Sequence, residues 1–212
     1  MQILTEEDKE AIKEAVKRAE ANTSGEIVFA TANASANYRV ATLQGAFIGM
    51  AIVTAVFLIA PVQHTITTLL WTELISFAVF YSILPFLPFR RWIISGREME
   101  ARVQEAAFMQ FYSGGLYKTR EANGIEIYLS FFERQVVVIG DSGIHAKMGD
   151  QHWEKIRDLI IKGIKEGNVH RGICEAIETC GKALAEHFPH QPDDINELPD
   201  LVIDRPLRPE AP

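Results

Sequence analysis

The sequence predicts an α/β domain with a small mixed sheet, interrupted by a transmembrane helical hairpin. Three observations carry this reading. Residues 40–89 contain no Lys or Arg and one acid, Glu73, although the 212-residue chain holds 21 basic and 28 acidic residues. Strand-like segments lie on both sides of that window. The piece before it offers one helix and one strand, which cannot enclose a core, so it must dock on the piece that follows.

In chain order, Thr5 can cap a helix running to Ala21, with Ile12, Ala15, Val16 and Ala19 on one face. Asn22-Thr23-Ser24-Gly25 ends that helix, and Glu26-Ile27-Val28-Phe29-Ala30 reads as a strand. Residues 3–38 thus form the first part of the domain. The N-terminus has neither the basic start nor the apolar core of a signal peptide.

Residues 40–92 hold the hairpin. Leu43 to Val62 is a 20-residue stretch whose polar side chains are Gln44 and Thr54. At about 1.5 Å per residue it matches the hydrocarbon thickness of a bilayer. Leu69 to Phe89 repeats the pattern, and the link between the two is short enough to force antiparallel neighbours. Arg39 precedes the first span and Arg90, Arg91 and Arg97 follow the second, while the link has no basic residue. That asymmetry places both termini in the cytoplasm of a multi-pass inner (cytoplasmic) membrane protein. Trp71 and Trp92 mark the two ends of the second span. Gly45 and Gly49 form a GxxxG pair, which serves either packing of the two hairpin helices or self-association into a homo-oligomer. Glu73 is the intramembrane acid, within a turn of the non-cytoplasmic end.

Residues 94–188 supply the second part of the domain. A long helix runs from Ile94 to Tyr117. Ile125, Ile127 and Leu129 alternate with Glu126, Tyr128 and Ser130, a half-buried strand. Phe132-Glu133-Arg134 turns the chain into Gln135–Gly140, a more fully buried strand. Glu133 and Arg134 make a charged tip suited to a partner contact. Helices over Asp150 to Lys165 and Val169 to Phe188 follow, the latter carrying Cys174 and Cys180 on different faces as reduced thiols. Residues 189–212, rich in proline and acids, read as a disordered tail. The net charge of −7 and the lack of a basic stripe exclude nucleic acid as a main partner.

Several pieces, in this order and spacing, resemble the TPM-domain family in its membrane-anchored branch. They are Leu4-Thr5-Glu6-Glu7, Thr23-Ser24-Gly25-Glu26-Ile27-Val28, Asn123-Gly124-Ile125-Glu126-Ile127-Tyr128-Leu129-Ser130, Phe132-Glu133-Arg134-Gln135-Val136-Val137-Val138 and Gly140-Asp141-Ser142-Gly143-Ile144. The resemblance implies a three-layer α/β/α sandwich, with divalent-cation binding and weak acid phosphatase activity in some members. It also implies an envelope role beside LemA-like membrane proteins. In place of the acid-rich run that precedes Asn-Gly in phosphatase-type members stands Thr119-Arg120-Glu121-Ala122, with one acid.

Familiar catalytic signatures are missing: there is no Asp-x-Asp pair, Cys-x5-Arg loop or glycine-rich phosphate loop, and His152-Trp153-Glu154 lacks its Pro-Cys-x-x-Cys partner. What remains are oxygen donors near strand ends: Asp141, Glu121, Asn123 and Glu26, with His145 nearby. Such donors suit Ca²⁺ or Mg²⁺. Two functions follow as expectations. One is an interaction or assembly module anchored in the lipid bilayer at the cytoplasmic face of the envelope. The alternative is a weak divalent-cation-dependent acid phosphatase.

Overall fold

The structure, a computed structural model, describes residues 4–61, 65–86, 90–147, 150–191 and 198–203. The chain divides into two compact units. Residues 1–35 and 100–212 form the first, and residues 36–99 the second.

In the first unit, α1 (Glu6–Glu20) opens on a capping box in which Thr5 Oγ1 accepts from Asp8 N (3.1 Å) and Asp8 Oδ2 accepts from Thr5 N (2.8 Å). Strand β1 (Glu26–Ala32) follows. In the second unit, α2 (Arg39–Ile59) and α3 (Ile66–Ile83) form a helical hairpin. Helix α2 starts four residues before the apolar stretch, with Thr42 Oγ1 donating to Tyr38 O at 3.1 Å. It ends where Pro61 forces Ala60 into extended backbone (φ −66°, ψ 142°). Thr65 and Thr68 cap α3 reciprocally, and Pro85 closes it as a 3₁₀ turn over Leu84–Phe86. Residues 62–64 of the link, and residues 87–89 at the end of the second expected span, lie outside the described residues. Gly45 and Gly49 are buried inside the hairpin, facing Leu84 and Phe80; a Cβ on Gly49 would sit 2.5 Å from Phe80 Cγ. The glycine groove is therefore filled by the hairpin's own second helix. Glu73 is half-buried on α3.

A short helix α4 (Arg90–Ile93) and the long α5 (Gly96–Gly114) lead back to strands β2 (Gly124–Ser130) and β3 (Gln135–Gly140). Helices α6 (Ser142–Lys147), α7 (Asp150–Lys165) and α8 (Val169–His187) precede a final strand β4 (Leu201–Ile203).

The sheet order is β3-β2-β1-β4. β1 lies parallel to both β2 and β4, and β2 antiparallel to β3, giving a mixed sheet. Strand alternation separates two cores. Ile27, Phe29, Ile125, Ile127 and Leu129 face α1, α7 and α8 through Ile12, Val16, Ile156, Ile160, Ile173 and Ile177. On the other face, Ala30, Ala32 and Tyr128 pack on Val103, Ala106 and Ala107 of α5, while Val28 meets Phe111 and Leu116. The result is a three-layer α/β/α sandwich.

Three expectations need correction. β2, read as half-buried, is buried at every residue because β1 and β3 flank it and helices cover both faces. β3, read as the more buried strand, is the half-exposed edge. The tail is not wholly solvated: Leu201–Ile203 pairs with Phe29–Thr31, and Leu201 packs on the core. Tail residues 192–197 and 204–212 lie outside the described residues.

Candidate functional site

All four donors singled out in the sequence gather at one end of the sheet, where β1 and β2 begin and β3 ends. The parallel register sets Glu26 beside Gly124, and Glu26 N donates to Asn123 O at 3.2 Å. Asn123 is buried; its Nδ2 donates to Ser24 O, and its backbone N–H to Thr119 Oγ1 at 3.2 Å. Glu121 is exposed and accepts from Gln191 Nε2 (2.8 Å) and Ser24 Oγ (3.5 Å). Asp141 N donates to Gly124 O at 2.9 Å, which ties the end of β3 to the start of β2.

Asp141 also initiates α6. Its Oδ1 accepts from Ser142 N at 2.6 Å, and its carbonyl accepts from Ile144 N and His145 N at 3.0 and 2.9 Å. Gly143 makes this close approach feasible, since a Cβ there would lie 2.7 Å from Ala122 O and 3.0 Å from Glu121 O. Asp141 Oδ2 is enclosed and has no hydrogen-bond partner among the described residues. The His145 side chain is exposed and joins Asp141 only through its backbone. The Asn123 amide is thus committed to holding the chain in place and both Glu121 carboxylate oxygens accept hydrogen bonds, whereas Glu26 is tied in through its backbone and Asp141 through Oδ1 and its backbone. Among the described residues, no group of three or more His, Cys, Asp or Glu side chains has the arrangement to hold a metal ion.

Glu133 is not an exposed tip. It is fully buried, and its Oε1 accepts from Ser35 N at 2.9 Å while Oε2 accepts from Ser130 Oγ. The four-residue loop folds back because Phe131 N and Phe132 N bond Ala32 O and Asn33 O at 3.0 and 2.9 Å, with Arg134 left-handed (φ 55°). Arg134 alone is exposed at this turn. Tyr128 Oη and Ser35 Oγ, 3.2 Å apart, extend the latch. Glu133 closes the far end of the sheet.

A residue that sequence reasoning passed over is Glu126. It is fully buried in a central strand, and neither carboxylate oxygen has a hydrogen-bond partner among the described residues. Its register neighbours are Val28 and Ile139, which pack with Phe111 and Leu116. Loss of hydration there pushes its carboxyl up to about 8. Gln110, on the sheet-facing side of α5, is also buried, with Nε2 unbonded. The signal in the sequence was the helical spacing of Val103, Ala106, Ala107, Gln110 and Phe111, which marks α5 as a cover for the face that carries Glu126.

Residues 92–183, which hold α5, β2, β3 and both the Glu121–Asn123 and Asp141 segments, match the TPM domain family. The chain carries a TPM domain. Among solved structures, it is similar to the BA42 protein from the psychrophilic bacterium Bizionia argentinensis, determined by NMR. The TM-score is 0.59 and identity 24%, over 94% of this chain and 94% of that one. That likeness shows the fold. No curated protein matches the chain. The TPM domain match begins after β1, so Glu26 and Ser24 join the site from outside the matched segment.

Proposed function

We propose that this protein is a membrane-anchored TPM-domain module that recruits or assembles a partner at the cytoplasmic face of the cell envelope. The observation carrying this reading is the exposure of the hairpin. Arg39–Ile59 and Ile66–Phe86 are long and apolar enough to cross a bilayer, yet only 22% and 11% of their apolar windows are buried. In a water-soluble protein such helices would form a core. Here Phe47, Ile48, Ile52, Val56, Leu70, Trp71, Leu74 and Ile75 stand exposed, an arrangement that lipid would satisfy. Arg39, Arg90, Arg91 and Arg97 flank the spans and favour the cytoplasm for both termini. A LemA-like membrane protein is the partner we propose to test first. Full-length protein should partition into the detergent phase of a cloud-point separation, resist alkaline extraction from membranes and co-purify with a membrane partner in mild detergent. Recovery in the aqueous phase would overturn the anchoring, and purification without any partner would overturn the assembly role.

The second reading, a weak divalent-cation-dependent phosphatase, draws on Asp141, whose Oδ2 is enclosed and unbonded in the loop that abuts Glu121 and Ala122. Ca²⁺ or Mg²⁺ bound by Asp141 and Glu121 would supply charge to hold a phosphoryl group. Hydrolysis of an activated phosphate ester should then need the metal and vanish in Asp141→Asn. Activity that survives this change would remove the assignment.

A further inference from the structure

The outer edge of β3 is an open hydrogen-bonding ladder, and its register can be read residue by residue. Asp141 N bonds Gly124 O, so these two form a hydrogen-bonded antiparallel pair. Alternation along the ladder then gives Glu126–Ile139, Tyr128–Val137 and Ser130–Gln135 the same character. The N–H and C=O groups of Val136, Val138 and Gly140 therefore point away from β2. No backbone or side-chain group among the described residues bonds them. The opposite side of the sheet differs, since the chain lays its own β4 along β1.

Edge strands are normally guarded by a charge, a proline or a bulge. Gln135-Val136-Val137-Val138-Ile139-Gly140 has no charge and no proline, and its register with β2 runs unbroken. We propose that this edge pairs antiparallel with β3 of a second copy, joining two four-stranded sheets across a two-fold axis. The pairing is self-complementary with Val138 on the axis. Val138 bonds its own counterpart, Val136 bonds Gly140 of the other copy, and no outward group is left over. Val137 then lies opposite the second copy's Ile139, so half-exposed apolar side chains cover each other on the α5 side. The strand carries no charge that would select a foreign peptide, whereas identical strands need only register.

The test uses full-length protein in detergent micelles or nanodiscs. Val138→Pro removes an outward N–H but no bond to β2, a position where an edge strand tolerates proline. Wild type should be a dimer by mass, and Val138→Pro should weaken that dimer at least tenfold while keeping its near-UV signature. Val138→Cys should form an intermolecular disulfide under mild oxidation, because paired residues there would lie about 5.5 Å apart. Cross-linking by Val138→Cys decides the matter if the proline variant fails to fold. A monomeric wild type, a dimer unaffected by proline, or a dimer that Val138→Cys does not cross-link would each overturn the proposal. The last result would assign association to another surface, such as the hairpin, and would leave membrane anchoring untouched.

Discussion

Glu126 sits in the middle of the sheet with apolar neighbours and no hydrogen bond, an arrangement a carboxylate tolerates only by holding its proton. The sign of its effect on stability follows. Its folded-state value, about 8, exceeds the ordinary 4.5, so the native state retains a proton that the unfolded state has released between those two values. Stability is therefore greatest below the lower value and is lost as pH rises toward the upper one, by up to about 1.4 kcal/mol per pH unit. Glu126→Gln should flatten that dependence, and Glu126→Leu should raise the melting temperature above wild type at pH 8. Thermal unfolding at a series of pH values checks both, and an unchanged slope in Glu126→Gln would mean the carboxyl finds a partner in solution. Sequence alternation marked Glu126, Tyr128 and Ser130 as a polar face because these residues resemble an exposed stripe. Burial of that face is decided by α5, an element whose small residues Ala106 and Ala107 permit a close approach to the sheet. Glu133 escaped detection for a related reason. Its partners, Ser35 N and Ser130 Oγ, come from segments that only the completed fold brings together.

Elements with strong local signals were legible without the fold. Thr5 and Asp8 set the start of α1, the 3.6-residue spacing of Ile12, Ala15, Val16 and Ala19 sets its buried face, and alternation of Ile125, Ile127 and Leu129 sets β2. The ends of the hairpin helices shifted by a few residues because helix propensity and prolines, not the apolar boundary, terminate them. Strand β4 was not legible. Its surroundings are proline- and acid-rich, and three residues gain strand geometry only by pairing with β1. That dependence runs both ways. Asp200 O accepts from Phe29 N at 3.2 Å, Leu198 packs beside Phe111 and Leu116, and Leu201 joins the main core. Ending the chain after Gln191 should therefore cost about 2–4 kcal/mol, from lost apolar burial and hydrogen bonds. The midpoint of a urea titration should fall accordingly. The truncated protein should also aggregate more readily, since the edge of β1 would be bare. An unchanged midpoint would show that β4 contributes nothing to stability.

On the scale of the whole molecule, the first unit is assembled from both ends of the chain. Cys180 reports on its integrity. The thiol is wholly buried among α1 and the sheet, and burial pushes its ionisation up to about 12, while the half-buried Cys174 is raised less sharply. Maleimide should label Cys174 first, with Cys180 reacting only as fast as the unit opens, and faster in step with added urea. Equal rates at the two thiols in native protein would show that the α8 core opens locally. Splitting a sheet between distant segments also has a consequence in time. Strand β1 is complete at Ala32, but its parallel neighbour β2 begins at Gly124, roughly 90 residues later. At about 5–20 residues per second of synthesis, the apolar run Ile27-Val28-Phe29-Ala30 waits several seconds without a neighbour. Within that interval the ribosome delivers the two apolar helices and then α5. A holding factor, or α1 folding down early as a temporary cover, would have to shelter a nascent strand whose mate has not yet been made.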